Sequence, residues 1–223
     1  MARNTFRTIP GYTLPTLTPE GIALLHELSS RFKIDAIRFT TASSVGVAGL
    51  DDESFTEFSR ALIPIMTPRP ANGITTIHSC NERCRCDHEC ADTGVISRKL
   101  TTLEFEQPLP AKLKVAVAGC TRSCTMVRVR DIGIYPDAAI PLRWNISFGG
   151  NGGARPRIGD VLATGLNVSE AMETVRTAVN VYRSLAEKRE RTAVFLDRIG
   201  IDRFSEEIAR VLDPGQTNLP PEG

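Results

Sequence analysis

The fold of this chain is best inferred from residues 112–124, which have the sequence KLKVAVAGCTRSC. Alternation of residue character predicts a strand over residues 112–118. Because successive side chains point to opposite faces of a strand, one face receives Lys112, Lys114 and two alanines and ends near the thiol of Cys120. The other face carries only Leu and Val, and we expect it to pack in a core.

The same region concentrates positive charge. Residues 107–130 contain five cations and no Asp or Glu, although the whole chain of 223 residues has a formal net charge of +1. Cations that converge on a cleft attract small anions. The balanced overall charge disfavours nucleic acid as a partner, and no apolar run approaches the roughly 20 residues of a membrane helix. The N-terminus lacks the apolar stretch of a secretion signal, so a cytoplasmic protein is expected.

The cysteines indicate metal or redox chemistry. All six lie between Cys80 and Cys124, and four of them fall within eleven residues. In a reducing compartment such clustering is typical of metal or redox sites. The first four could form a zinc site, with His78 or His88 in reserve. Alternatively, two of them could join Cys120 and Cys124 as the four thiolates of a cubane iron–sulfur cluster.

Local patterns predict an α+β fold with antiparallel hairpins and helices on one face. Thr18 and Pro19 suit the start of a first helix, whose predicted apolar stripe consists of Ile22, Leu25, Leu28 and Phe32. Helices are predicted over residues 18–32, 51–64, 87–103, 169–186, 191–199 and 203–212. Strands are predicted over residues 36–41, 45–50, 73–78, 112–118, 131–135 and 142–148, with a glycine-rich loop over 149–153.

These motifs together resemble the sirohaem/[4Fe-4S] signature of the sulfite and nitrite reductase family. Cys80-x5-Cys86 is followed, after 33 residues, by Gly119-Cys120-x2-Ser123-Cys124, which resembles the two cysteine pairs of that family. Further segments resemble family segments in the same order along the chain: Arg38–Thr41, Leu109–Lys114, Asp131–Ile134 and Gly149–Arg157. The cysteine spacing is also similar to that of the dissimilatory sulfite reductase subunits. The chain carries one copy of this architecture, and in this respect it resembles the small assimilatory-type sulfite reductases.

The resemblance implies a ferredoxin-like αβ subdomain over residues 1–70 and a cluster- and sirohaem-binding α/β subdomain over residues 71–212. Residues 213–223 are expected to be a flexible tail. The implied cofactors are sirohaem and a [4Fe-4S] cluster. The implied cluster ligands are Cys80, Cys86, Cys120 and Cys124, of which Cys124 would also bridge to the sirohaem iron. Cys84 and Cys90 have the same x5 spacing, so the register of the first pair stays open.

The resemblance also implies roles for polar residues. Lys112, Lys114 and Arg130 match positions that bind the anionic substrate or supply protons. The carboxylates of sirohaem would be bound by Arg38, Thr40, Thr41, Arg122, Asn151, Arg155 and Arg157.

The implied activity is the six-electron reduction of sulfite to sulfide, with nitrite reduction to ammonia as an alternative. Ala42 and Thr75 stand where the family usually has arginine, which also allows a redox or electron-transfer protein with another substrate. A zinc- or cluster-stabilised binding module without catalysis is a further alternative. Because the sequence shows no flavin or nicotinamide motif, electrons are expected from a separate donor protein. A single copy of the architecture implies a homodimer or an open site.

Overall fold

The computed structural model describes residues 5–40, 42–80, 86 and 91–213. The chain divides into two compact units, Met1–Ala71 and Asn72–Gly223. Both units combine helices with β-sheet, which confirms the predicted α+β class. Apart from Asp213, the predicted tail lies outside the described residues. None of the helices in the described ranges is long and apolar enough to cross a membrane.

The first unit has the ferredoxin-like order β-α-β-β-α-β. Its elements are β1 (Arg7–Thr8), β2 (Tyr12–Thr13), α1 (Pro19–Phe32), β3 (Ala36–Phe39), β4 (Val45–Ala48), α2 (Asp52–Leu62) and β5 (Thr67–Pro68). β1 pairs with β4 and β4 with β3, while β2 pairs with β5, and all three pairings are antiparallel. Only three residues separate β1 from β2, so the two act as one interrupted strand that lies between β4 and β5.

The first helix begins where its sequence predicts. The side-chain oxygen of Thr18 accepts the N–H of Gly21 at 3.2 Å, and proline occupies the first turn. Gly21, Leu25 and Leu28 are buried at the spacing of one helical face. The predicted stripe is wrong for Ile22, which is 57% exposed, because the adjacent position Gly21 faces the core instead.

The second unit is built on a five-stranded sheet with the order β10-β9-β8-β7-β6. Its elements are β6 (Thr76–Ser79), α3 (Gly94–Thr101), β7 (Lys114–Val117), β8 (Ile132–Pro136), β9 (Trp144–Phe148), β10 (Asp160–Leu166), α4 (Val168–Leu185), α5 (Thr192–Ile199) and α6 (Ile201–Leu212). β6, β7 and β8 are mutually parallel, and only β9 and β10 run antiparallel to their neighbours. The expectation of antiparallel hairpins is therefore wrong for β6–β8.

Two elements differ from the predicted boundaries. β10 was not predicted, because its pairing with β9 shifts register twice between Val161 and Leu166 and so breaks the alternation of residue character. Helix α3 begins at Gly94 rather than at residue 87, and a carboxylate oxygen of Asp92 accepts the N–H of Gly94 at 2.8 Å. Residues 87–90, the first part of the predicted helix, lie outside the described residues.

One face of the second unit's sheet forms the larger core. Leu113, Val115 and Val117 are each 0% exposed, which confirms the core face predicted for this strand. Helices α3–α6 pack on this face and add an aromatic cluster whose ring centroids lie between 4.6 and 6.0 Å apart. Burial of this apolar face fixes which side chains of β6–β9 point the other way.

The opposite face is covered by the segment that follows β7. Ala116 and Ala118 pack against Val127 and Tyr135. At Gly133 of β8 the approach is so close that an added Cβ would lie 2.1 Å from the carbonyl oxygen of Val127. Part of the space beside these two alanines is thus occupied by the chain itself.

We expect Gly133→Ala to lower the free energy of unfolding by about 1–3 kcal/mol, because the new methyl group must displace backbone. Urea denaturation measures this change. Gly152→Ala is the matched control, since an added Cβ there meets its nearest atom only at 3.4 Å. Equal stability of the two variants would show that residues 118–131 do not lie on the sheet as described.

Candidate cluster and anion site

The two cysteine segments meet at the carboxyl ends of parallel strands. Cys80 directly follows β6, and its N–H donates to the carbonyl oxygen of Val117 at 2.9 Å. At the other end of the same segment, the N–H of Ala91 donates to the carbonyl oxygen of Gly119 at 3.1 Å. Both ends of residues 80–91 are therefore anchored where β7 ends and the second cysteine pair begins.

The structure brings the ends of the two cysteine segments together at this edge of the sheet. Cys120 is buried, Cys80 is half-buried, and Cys86 and Cys124 are exposed, all four as free thiols. Within the described ranges, no three side chains of His, Cys, Asp or Glu lie close enough to hold a metal ion. Cys84 and Cys90 fall outside these ranges, so the choice between the two x5 pairs stays a prediction.

Buried polar atoms without partners cluster beside the thiols. Of the side-chain atoms in the described residues that are buried and have no hydrogen-bond partner, five belong to the non-core face of the sheet or to the segment that covers it: Thr76 Oγ1, His78 Nδ1, Thr125 Oγ1, Arg130 Nε and Ser147 Oγ. Such atoms usually have a partner, because leaving one unpaired costs about 1–3 kcal/mol. Their concentration on one face, next to the strand ends that carry Cys80 and Cys120, fits a cofactor with many polar substituents.

The predicted anion-binding cations differ in their surroundings. Lys112 and Arg122 are exposed, whereas Lys114 and Arg130 are half-buried. Lys114 and His78 lie on the same, non-core face of the sheet, since Thr76 pairs with Lys114 and His78 pairs with Ala116. Burial and the nearby positive charge of Arg130 lower the pKa of His78 below its usual value.

Sequence reasoning missed a buried carboxylate that accepts the backbone N–H of Lys114. Asp131 is 1% exposed, and its oxygens accept the N–H of Lys114 at 2.8 Å and the hydroxyl of Thr192 at 2.6 Å. Arg191 donates to both oxygens of Asp131, at 2.8 and 2.7 Å. The backbone carbonyl oxygen of Asp131 accepts the N–H of Gly149. An aspartate directly before an apolar strand was the available signal, but its partners are about 60 residues away in sequence.

The glycine-rich loop is closed by its own polar side chains. Asn151 accepts the N–H of Gly153 and donates to the carbonyl oxygen of Arg155 at 2.8 Å. Arg157 forms ion pairs with Asp160 at 2.7 Å and with Asp197 at 2.9 Å, and it also donates to the carbonyl oxygen of Gly149. These contacts favour a loop-closing role for Asn151 and Arg157, whereas Arg155 is exposed.

The cofactor-binding residues predicted in the first unit lie at the β3–β4 turn. The guanidinium carbon of Arg38 lies 4.0 Å from the centroid of the Phe6 ring. The hydroxyl of Thr40 accepts the N–H groups of Ala42 and Ser44, at 3.3 and 3.1 Å, and so stabilises the turn. Thr41 lies outside the described residues.

A comparison with protein families identifies the class of domain to which this chain belongs. Residues 71–213 match the family model described as the nitrite and sulphite reductase 4Fe-4S domain. The chain belongs to this family, whose members are oxidoreductases containing sirohaem and a [4Fe-4S] cluster.

Curated relatives name both anions. The chain is 24% identical over 204 residues to an assimilatory-type sulfite reductase of Nitratidesulfovibrio vulgaris, with 92% of each chain covered. It is 26% identical over 203 residues to the nitrite reductase (NADH) large subunit of Escherichia coli, covering 89% of this chain and 24% of that protein. The chain thus spans about a quarter of the length of this nitrite reductase subunit.

Solved structures share the fold. The Mycobacterium tuberculosis NirA protein superposes with a TM-score of 0.72 at 16% identity, covering 92% of this chain and 39% of NirA. Dissimilatory sulfite reductase I superposes with a TM-score of 0.68 at 13% identity, covering 95% of this chain and 70% of that one.

We expect Asp131→Asn to lower the free energy of unfolding by about 2–4 kcal/mol, because Arg191 loses the charge of its buried partner. Urea denaturation monitored by far-ultraviolet circular dichroism gives this value. The control is Asp197→Asn, which removes an aspartate that is 66% exposed from its pair with Arg157. That change should cost less than about 1 kcal/mol, and a similar loss in both variants would contradict the organising role of Asp131.

Proposed function

We propose that this chain reduces sulfite to sulfide by means of sirohaem and a [4Fe-4S] cluster. The observation that carries the cofactor part of the proposal is the anchoring of both ends of residues 80–91 to the end of β7. This arrangement starts the segment with the first thiol pair beside the segment with the second, which supports a four-thiolate cluster site. Sirohaem and the cluster, when bound, would supply electrons to the anion one after another.

We assign cluster binding to Cys80, Cys86, Cys120 and Cys124. Cys80 and Cys120 lie at the strand ends, and Cys120 is almost fully buried. The exposed Cys86 and Cys124 would complete the ligand set as metal is bound, because metal binding and local folding are coupled. The apolar core beneath β6 and β7 holds the two strand ends in place during this step.

Lys114 and Arg130 are the residues that we assign to the substrate anion, with Lys112 at the more exposed edge. The N–H of Lys114 is held by Asp131, so the lysine leaves the strand at a fixed point on the non-core face. A half-buried cation attracts an anion more strongly than an exposed one, because water and salt screen it less. Positive charge here would bind sulfite and stabilise the negative charge on its oxygens as they leave as water.

Sulfite is favoured as the substrate by chain length. The relative matched over 92% of both chains is a sulfite reductase, whereas the Escherichia coli nitrite reductase subunit is covered to only 24%. Nitrite reduction is the second candidate, because several nitrite reductases match most of this chain. In either case electrons would come from a separate donor protein.

Anaerobically purified protein should contain about five iron per chain, four in the cluster and one in the sirohaem, with about four acid-labile sulfide and the absorption bands of a tetrapyrrole. Cys120→Ser and Cys124→Ser should each lose most of the iron and sulfide. Cys84→Ser is the matched control for Cys80→Ser, because only one of these cysteines belongs to the ligand pair. The iron content of the four variants then shows whether the first ligand pair is Cys80 and Cys86 or Cys84 and Cys90. Zinc without iron in the unmodified protein would contradict the proposal.

Lys114→Ala should lower kcat with sulfite by ~10²-fold, because it removes a half-buried charge from the anion. Lys112→Ala should have a smaller effect, since its side chain is exposed. A reduced dye as electron donor allows both rates to be measured with sulfite and then with nitrite. Faster turnover of nitrite by the unmodified protein would transfer the substrate assignment to nitrite, and unchanged kinetics in Lys114→Ala would remove this residue from the site.

A further inference from the structure

Two of the unpaired atoms on the non-core face are nitrogens that belong to neighbouring side chains. Nδ1 of His78 and Nε of Arg130 are both buried, and neither has a hydrogen-bond partner among the described residues. Burial and, after it, the positive charge of Arg130 lower the pKa of His78, so the field of this guanidinium reaches the imidazole. These two nitrogens are not hydrogen-bonded to each other. Each of them therefore needs a partner that is not among the described residues.

The chemistry of these two nitrogens specifies the missing partner. A hydroxyl such as that of Ser147 can rotate and either donate or accept, but Nε of arginine can only donate. Arg130 Nε therefore requires an acceptor, and the positive charge favours an acceptor that is negative. An imidazole whose Nδ1 carries hydrogen can donate a second hydrogen bond to the same group.

The carboxylate of Asp131, which directly follows Arg130 in sequence, is not free to be this acceptor. Both oxygens of Asp131 are already engaged by Arg191, by Thr192 and by the N–H of Lys114. The stretch that precedes Arg130 contains no acidic residue back to position 107. Neither Asp131 nor residues 107–130 therefore supply the two nitrogens with a negative partner.

The position of His78 links the two parts of the candidate site. Its partner in the sheet is Ala116, so a small side chain lies opposite the imidazole. Lys114 lies two residues before Ala116 on the same face, and Cys80 lies two residues after His78. An anion held by His78 would therefore lie between the assigned anion-binding lysine and the first cluster cysteine.

We propose that His78 Nδ1 and Arg130 Nε together bind one oxyanion group, either the substrate anion or a carboxylate of the tetrapyrrole. This inference rests on the proposed function and adds to it a binding residue, His78, that the sequence motifs did not single out for this role. The imidazole acts as a hydrogen-bond donor of fixed position, while Arg130 supplies both a donor and the charge.

The test compares His78→Ala and His78→Asn with the unmodified holoenzyme. Two quantities are measured: the retained tetrapyrrole and iron after gel filtration, and the dissociation constant of ³⁵S-labelled sulfite by equilibrium dialysis. His26→Ala is the matched control, because His26 is an exposed histidine on α1. It should change neither quantity. His78→Asn should recover part of any loss, since its amide N–H lies near the position of Nδ1.

A dissociation constant raised about tenfold with full cofactor content identifies the oxyanion as substrate. Loss of the tetrapyrrole with iron and sulfide retained identifies it as a cofactor carboxylate. If His78→Ala does not fold, the sulfite dissociation constant and the cofactor retention of His78→Asn distinguish between these two identities of the oxyanion. Values unchanged in every His78 variant overturn the inference.

A double-substitution cycle tests whether the two residues share one ligand. Arg130→Lys keeps the charge but removes Nε. If one oxyanion contacts both nitrogens, the effects of His78→Ala and Arg130→Lys on sulfite binding or tetrapyrrole retention should be less than additive. Full additivity contradicts a shared group. The proposed function is judged separately, on iron, sulfide and tetrapyrrole in the unmodified protein, whereas this inference is judged only on differences between variants.

Discussion

The parallel hydrogen bonding between β6 and β7 is the constraint on which the candidate site depends. The ladder pairs Ser79 with Val117 and continues with the bond from Cys80 to Val117. Because parallel strands end on the same edge of a sheet, the segments that follow them start side by side. Two cysteine pairs separated by 33 residues in sequence can meet only through such a pairing. An antiparallel partner would place the second pair at the far end of the sheet.

The two faces of this sheet have different functions. One face is apolar and buried under α3–α6, which supplies the hydrophobic stabilisation of the second unit. The other face carries cations, alanines and polar atoms without partners, a composition that contributes little to stability on its own. Asp131 links the two faces of the sheet. Its buried carboxylate, just before β8, accepts hydrogen bonds from Lys114 of β7 and from Arg191 and Thr192 at the start of α5.

Local signals predicted most elements, and the errors have physical causes. Thr18 and Asp51 cap helices as their residue types indicate, and the alternation of residues 113–117 identified the core face. β10 escaped prediction because register shifts hide its alternation. The cofactor-binding role predicted for Asn151 and Arg157 stays a prediction, although their side chains also close the glycine-rich loop. A polar residue type in a loop does not reveal whether its partner is a ligand or a neighbouring residue.

The sequence by itself determined the class of chemistry, since clustered thiols and a local excess of cations depend only on residue identity and spacing. It also determined the family, because the cysteine pairs and the flanking segments occur in a characteristic order. Only the tertiary structure decided which atoms on the non-core face lack partners, and that Arg191 and Thr192 bind the carboxylate of Asp131. It also decided that the charge of Arg130 acts on His78. These facts depend on contacts between residues far apart in the chain, which local patterns do not encode.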